Sequence, residues 1–127
     1  MTHQLELTKQ PSRIGEAPLW QSIEPVILAH HPWPQNDYRP EVQVRACYSD
    51  EAIHVCFRTY EQNPTVTYDQ RNQPVHKDSC VELFLQPCPA DDDRYLNFEF
   101  NAAGTMYLSL GKDRYNRDSL LDNDDSV

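Results

Sequence analysis

The feature that most constrains this chain is an alternation of apolar and polar residues with a period of two. In VQVRACYSDEAIHVCFRTY, residues 42–60, two alternating runs flank Asp50 and Glu51. Because successive side chains of a strand point to opposite faces, this segment predicts a β-hairpin. The apolar face, which we expect to be core, holds Val44, Ala46, Tyr48, Ile53, Val55 and Phe57, and the opposite face holds Arg45, Cys47, His54, Cys56, Arg58 and Tyr60.

Five further segments have the composition of strands, and no apolar stripe with a helical period continues for a dozen residues. Ten prolines and only three glycines occur in the 127 residues, the prolines mostly in the segments between strands. Many short strands joined by such connections predict an all-β fold, an antiparallel β-sandwich of the jelly-roll or immunoglobulin-like type. We expect one domain over residues 1–121 and a flexible acidic tail over residues 122–127. The five segments are residues 5–8, 22–28, 80–86, 95–101 and 105–110.

The charge of the chain excludes some classes of partner. Twenty acidic residues against eleven basic ones give a net charge of −9, which repels a phosphate backbone, so we expect no nucleic-acid partner. No apolar window is long enough to cross a membrane, and MTHQLELTKQ does not resemble a signal peptide. The expectation is a cytoplasmic protein without a membrane partner, or an extracellular one if a leader has been removed.

The four cysteines are predicted to be free thiols. Cys47 and Cys56 are diagonal neighbours on the hairpin, with Cβ atoms ~7 Å apart where a disulfide needs ~4 Å. Cys80 and Cys88 lie along one extended segment, which holds them apart. The absence of a CxxC pair, an HExxH motif and zinc-finger spacing indicates that no zinc site is present.

A polar and aromatic sheet face is the candidate site. In KDSCVELFLQP, residues 77–87, alternation places Glu82 and Phe84 opposite the apolar Val81 and Leu83. The next strand places Tyr95, Asn97 and Glu99 on the same side. Carboxylates and amides hydrogen-bond sugar hydroxyls, and aromatic rings cover the apolar side of a sugar ring. The alternative is an ordinary solvated face with cross-strand ion pairs. Arg58, Tyr60 and Tyr107 are expected to join this face from other strands.

Two motifs resemble the paired signature of family 9-like carbohydrate-binding modules, β-sandwiches related to DOMON-like domains. They are DSCVELF at residues 78–84 and RYLNFEFNAAGT at residues 94–105, and the resemblance extends over about residues 14–117. It implies non-catalytic binding of mono- or oligosaccharides, as an accessory to polysaccharide degradation, with structural calcium in some members. Its ligand face would include Glu82, Asn97, Glu99 and the loop from Tyr68 to His76.

The chain departs from that family in two ways. Family domains are longer, and a later segment supplies one of two aromatic residues that enclose the sugar. The loop before DSCVELF offers Tyr68 and His76 where a tryptophan would be a stronger platform. We therefore expect the sandwich to be incomplete at its C-terminal end, and either a longer protein or a homo-oligomer to complete it.

Two other functions remain open at this point. Glu82 and Glu99 would suit a glycoside hydrolase if their carboxyl groups lay ~5.5 Å or ~6.5–9.5 Å apart, although the predicted neighbours form no apolar pocket to raise a carboxyl pKa. A haem- or cofactor-binding DOMON-like domain would need an axial ligand, but Met106 alternates into the core. The acidic runs 91–93 and 122–125 lack the EF-hand pattern, so solvated turns are expected there.

Overall fold

The structure, a computed structural model, describes residues 5–120, within which the fold is all-β without an α-helix. Eight strands form two four-stranded sheets, and two single-turn 3-10 helices lie at Trp20–Ser22 and Val75–Lys77. The chain divides between Gln62 and Asn63 into two compact units, each containing one sheet. The strands are β1 (Thr8–Lys9), β2 (Val26–Ile27), β3 (Val42–Tyr48), β4 (Ile53–Thr59), β5 (Cys80–Leu85), β6 (Tyr95–Asn101), β7 (Met106–Gly111) and β8 (Arg117–Ser119).

The first unit is built around the predicted hairpin of β3 and β4. Its register pairs Ala46 with Val55 and Cys47 with His54, which confirms the two faces read from the alternation. The turn is closed by Ser49, whose hydroxyl oxygen accepts the backbone N–H groups of Glu51 and Ala52 at 3.4 and 3.2 Å. The short polar turn therefore fixes the register that the alternating pattern requires.

The prediction that the apolar face of this hairpin is core was wrong at the end beside the turn, whereas Val44, Ala46, Val55 and Phe57 are half-buried. Tyr48 and Ile53 are 41% and 52% exposed, whereas Cys47 on the opposite face is fully buried. Tyr48 and Ile53 form the last pair of the ladder beside the turn, where the sheet ends, while Cys47 lies one residue farther into the ladder, flanked by Thr8 of β1 and His54 of β4. Position in the sheet therefore outweighs side-chain polarity here.

The two early strands are shorter than the sequence predicted. The segment 22–28 is reduced to β2 because Trp20–Ser22 forms a 3-10 turn, in which the Ser22 hydroxyl donates to the Leu19 carbonyl at 2.7 Å. Pro25 has no N–H to extend the ladder further toward the N-terminus. The segment 5–8 contributes only to β1, which pairs with β3 in parallel, so this sheet is not purely antiparallel as expected.

The second unit is an antiparallel meander in the order β5-β6-β7-β8. Strand β6 has the predicted bounds, and β5 and β7 differ from prediction by a residue at their ends. Strand β8 was not predicted, because RDS contains no apolar alternation. Apolar side chains align across the ladder, with Phe98 between Leu83 and Leu108, and Met106 pairs with Phe100 on the same face, as expected.

Few apolar side chains in the described part of the chain are buried: Pro18, Ile23, Cys47 and Val75. All four cysteines are free, as predicted. The described residues contain no helix with the length and apolar character needed to cross a bilayer. The acidic tail 122–127 lies outside the described residues, and the expectation of a single domain stays a prediction.

Candidate functional site

The second sheet carries an open depression of about 370 Å³ on its polar face. Strands β5, β6 and β8 contribute to it, together with the 3-10 turn at Val75–Lys77 and the segment between β7 and β8. Its volume is within the range of small-molecule sites, ~300–1,000 Å³. It is lined by His76, Glu82, Phe84, Tyr95, Asn97, Glu99, Arg114 and Arg117.

The antiparallel register brings these side chains together. Glu82 pairs directly with Glu99, and Phe84 pairs directly with Asn97. Directly opposed residues of paired strands have Cβ atoms about 4.5–5.5 Å apart, so the two carboxylates are immediate neighbours. The alternation of β5 and β6 predicted the shared face, but only the register makes Glu82 and Glu99 a pair.

Asn97 lies at the base of the depression and is 1% exposed. Its Oδ1 accepts a hydrogen bond from Arg117 Nη1 at 2.9 Å, which fixes the orientation of the amide. The Asn97 Nδ2 atom is buried and has no hydrogen-bond partner. A buried donor without an acceptor is costly, so a ligand atom that accepts from Nδ2 would be stabilised there.

Arg117 reaches Asn97 because β8 lies very close to β7. The guanidinium of Arg117 also stacks over the Tyr107 ring, 5.6 Å from its centroid. Gly111, the register partner of Arg117, permits this approach, because a Cβ atom at Gly111 would overlap the Asn116 carbonyl oxygen and the Arg117 backbone. Glycine is thus required for close packing of the strand that delivers the arginine.

Glu99 is the second buried polar residue in the depression, with 4% exposure. Its Oε2 atom has no hydrogen-bond partner, and His76 Nδ1 lies 3.8 Å from it. Burial, and then the charge of Glu82, raise the pKa of Glu99, although His76 and Arg117 act in the opposite direction. The expectation that no carboxyl pKa would be raised here was therefore wrong, because the position of Glu99 on an inner strand removes it from water.

An aromatic surface borders these polar groups. The Phe84 and Tyr95 rings lie 5.7 Å apart at an interplanar angle of 57°, and Phe84 is 57% exposed. An exposed ring beside hydrogen-bonding groups suits the apolar side of a sugar ring. Alternation had placed Phe84 and Tyr95 on this face, but neither was included in the predicted site.

The loop before β5 is anchored by Asp78, the first residue of DSCVELF. Its carboxylate accepts the N–H groups of Thr67 at 2.9 and 3.0 Å and of Tyr68 at 3.0 Å, and the Asn101 amide at 3.0 Å. Burial acts to raise the pKa of Asp78, but these hydrogen bonds outweigh burial and lower it. Asp78 therefore holds the loop that carries His76 over the sheet.

Only part of the predicted site lies in the depression. His76, Glu82, Asn97 and Glu99 line it, as the sequence suggested. Tyr68 does not, and its backbone instead holds the loop, where its carbonyl accepts from Asn101 Nδ2 at 2.7 Å. Arg58 and Tyr60 also do not line it; they lie at the end of β4 in the first unit, with the Arg58 guanidinium 5.5 Å from the Tyr60 ring centroid.

Arg114 and Arg117 were missed because residues 112–120 have no strand pattern. The sequence offers one signal for them: the polar residues 112–117 follow the predicted strand 105–110 at the distance of a turn, where a returning strand can begin. Their side chains enter the depression because β8 folds back on β7, which the Asp113 carboxylate supports by accepting the N–H groups of Tyr115 and Asn116 at 2.8 and 2.9 Å.

Two carboxylates of the acidic run 91–93 form ion pairs with basic side chains. The Asp92 carboxylate is engaged by Arg94 at 2.6–3.0 Å, and Asp93 lies 3.6 Å from Lys112. Arg94 lowers the pKa of Asp92 to about 2. Between residues 5 and 120, no three His, Cys, Asp or Glu side chains gather in a way that would hold a metal ion. The run 122–125 lies outside the described residues.

Comparison with known proteins agrees with this architecture. The sequence profile of carbohydrate-binding family 9 matches residues 16–126. The chain belongs to carbohydrate-binding family 9. A crystal structure from Bacteroides uniformis ATCC 8492, of a protein to which carbohydrate binding has been provisionally assigned, is similar, with a TM-score of 0.78 and 26% identity over 92% of this chain.

This family 9 chain spans 56% of the length of the Bacteroides uniformis protein. No curated protein matches the chain. The family match and the shared fold support the β-sandwich class predicted from the alternating strands, with the two four-stranded sheets described above.

Proposed function

We propose that this family 9 domain binds a mono- or oligosaccharide in the depression on β5, β6 and β8, without a chemical step. The observation that carries the proposal is a buried donor and a buried acceptor, Asn97 Nδ2 and Glu99 Oε2, that both lack hydrogen-bond partners. Sugar hydroxyls both donate and accept, so one ligand can satisfy both atoms. The exposed ring of Phe84 supplies the apolar contact.

The proposal is tested by NMR titration against a panel of mono- and oligosaccharides. Phe84→Ala should weaken binding by about tenfold, the equivalent of ~1.4 kcal/mol, and should scarcely change stability because the ring is exposed. Glu82→Gln should weaken binding by a similar factor, since a hydrogen bond to a charged group is worth ~1.5–3 kcal/mol. Tyr60→Ala is the matched control, because Tyr60 is an exposed aromatic residue that does not line the depression. Equal losses in Tyr60→Ala and Phe84→Ala would contradict this location for the site.

A second candidate function is hydrolysis of a glycoside by Glu82 and Glu99. Their direct pairing and the raised pKa of Glu99 favour it, since a retaining hydrolase needs a protonated acid ~5–5.5 Å from a carboxylate. The geometry argues against it, because catalytic carboxyl groups flank the scissile bond, whereas these two project from one face of one sheet. Release of new reducing ends from an oligosaccharide, abolished by Glu99→Gln, would establish hydrolysis in place of simple binding.

A further inference from the structure

The depression contains two adjacent carboxylates, Glu82 and Glu99, and two guanidinium groups, Arg114 and Arg117. Glu82 and Glu99 occupy directly opposed positions on β5 and β6, and like charges in this arrangement destabilise a sheet. Glu99 is almost completely buried, and its Oε2 atom receives no hydrogen bond. A buried carboxylate of this kind is stabilised by a hydrogen-bond donor, and more strongly by a donor that also carries a positive charge.

The cationic side chains around Glu99 do not supply that partner. His76 Nδ1 is 3.8 Å from Glu99 Oε2, beyond hydrogen-bond distance, and its side chain is mostly exposed. The Arg117 guanidinium donates to Asn97 Oδ1 and stacks over Tyr107. Arg114 is exposed and lies in the segment before β8. Burial and the charge of Glu82 raise the pKa of Glu99 by more than His76 and Arg117 lower it.

The same surface also offers a donor next to this carboxylate. Asn97 and Glu99 are two residues apart on β6 and face the same side, which places them about 6–7 Å apart along the strand. Asn97 Nδ2 requires an acceptor and Glu99 Oε2 requires a donor. A ligand that satisfies both carries an acceptor and a donor on neighbouring positions of one ring.

On the basis of the proposed sugar binding, we infer that the depression prefers amino sugars with a free amine over neutral sugars. The ammonium group donates to Glu99 and lies between the Glu82 and Glu99 carboxylates, and a neighbouring hydroxyl accepts from Asn97 Nδ2. A neutral hydroxyl can donate to Glu99 but leaves the two like charges facing each other. A hydroxyl and an ammonium both form charge-assisted hydrogen bonds to the carboxylate, but only the ammonium also places a positive charge between Glu82 and Glu99.

The inference is tested by titrating the intact chain with glucosamine, N-acetylglucosamine, glucose and glucuronic acid at pH 7 and low salt. N-acetylglucosamine is the matched control ligand, because acetylation removes the positive charge. We expect glucosamine to bind at least tenfold more tightly than N-acetylglucosamine and glucose, with the preference falling as salt is added. Equal affinities for these three sugars, or tightest binding of glucuronic acid, would overturn the inference while leaving carbohydrate binding intact.

A variant separates charge recognition from simple hydrogen bonding. Glu82→Gln removes one of the two charges at an exposed position, so the fold should be retained and the preference for glucosamine should fall severalfold. Glu24→Gln, at an exposed position in the first unit, is the matched control and should leave the preference unchanged. An unchanged preference in Glu82→Gln would refute the role of the carboxylate pair. No binding of any sugar, tested also with oligosaccharides, would reject the proposed function itself.

Discussion

Replacing Glu99 by glutamine should stabilise the protein at neutral pH. The substitution keeps the size of the side chain and removes a buried charge that faces Glu82 and lacks a hydrogen bond at Oε2. Opposed like charges on paired strands cost ~0.2–1 kcal/mol, and the desolvation of Glu99 adds to this. We expect a gain of about 1 kcal/mol in the free energy of unfolding at pH 7.

The gain should depend on pH in a defined direction. Because burial and Glu82 raise the pKa of Glu99 in the folded state, the folded protein holds this proton more tightly than the unfolded chain does. The stabilisation that this tighter proton binding provides is fully present below the ordinary glutamate pKa of ~4.3, and it is lost as the pH rises through the raised pKa of Glu99 in the folded protein. Glutamine does not titrate, so the difference between variant and wild type should shrink as the pH falls to 4.

Urea denaturation followed by circular dichroism measures the difference. A gain of 1 kcal/mol moves the midpoint by about 0.5 M at a typical slope of ~2 kcal/mol/M. Tryptophan fluorescence is unsuitable, because Trp20 and Trp33 both belong to the first unit and Glu99 to the second. Glu24→Gln serves as the control for a change of net charge. A Glu99→Gln protein that is less stable than wild type at pH 7, or whose advantage grows at low pH, would refute the reasoning.

Three more outcomes follow from the structure. Gly111→Ala should displace β8, destabilise the protein by ~1–3 kcal/mol in urea denaturation and weaken sugar binding through the loss of Arg117 from its position. Gly104→Ala is the control for backbone strain alone, because the added Cβ meets open space there while φ is +80°. In the native protein a thiol reagent at pH 8 should modify exposed Cys88 first and Cys80 slowly, because burial and then nearby carboxylates raise the Cys80 pKa to about 11. In the denatured protein without reductant the reagent should titrate four thiols, and a count of two or fewer would contradict the strand register. Light scattering should show self-association at micromolar concentration, since Ile27, Leu28 and Ile53 are exposed; a stable monomer would argue against it.

Local sequence was sufficient to predict the longer strands and the faces of their side chains. Alternation is a local property, because neighbouring side chains of any strand point to opposite sides, so residues 42–60, 80–86 and 95–101 were sufficient to place the hairpin, β5 and β6. The same rule placed Glu82, Asn97, Glu99 and Phe84 on one face. The motifs around residues 78–84 and 94–105 were sufficient to indicate family 9, which the profile match shows.

Which of these side chains lie next to one another depends on long-range contacts. Register, a long-range property, places Glu82 directly opposite Glu99. Burial follows from position in the sheet, so polar Asn97 and Glu99 are covered while apolar Tyr48 and Ile53 are open. Strand β8 forms where Gly111 permits close approach, and its three polar residues carry no alternation to reveal it. The charge environment of Glu99 therefore arises from contacts that no stretch of neighbouring residues encodes.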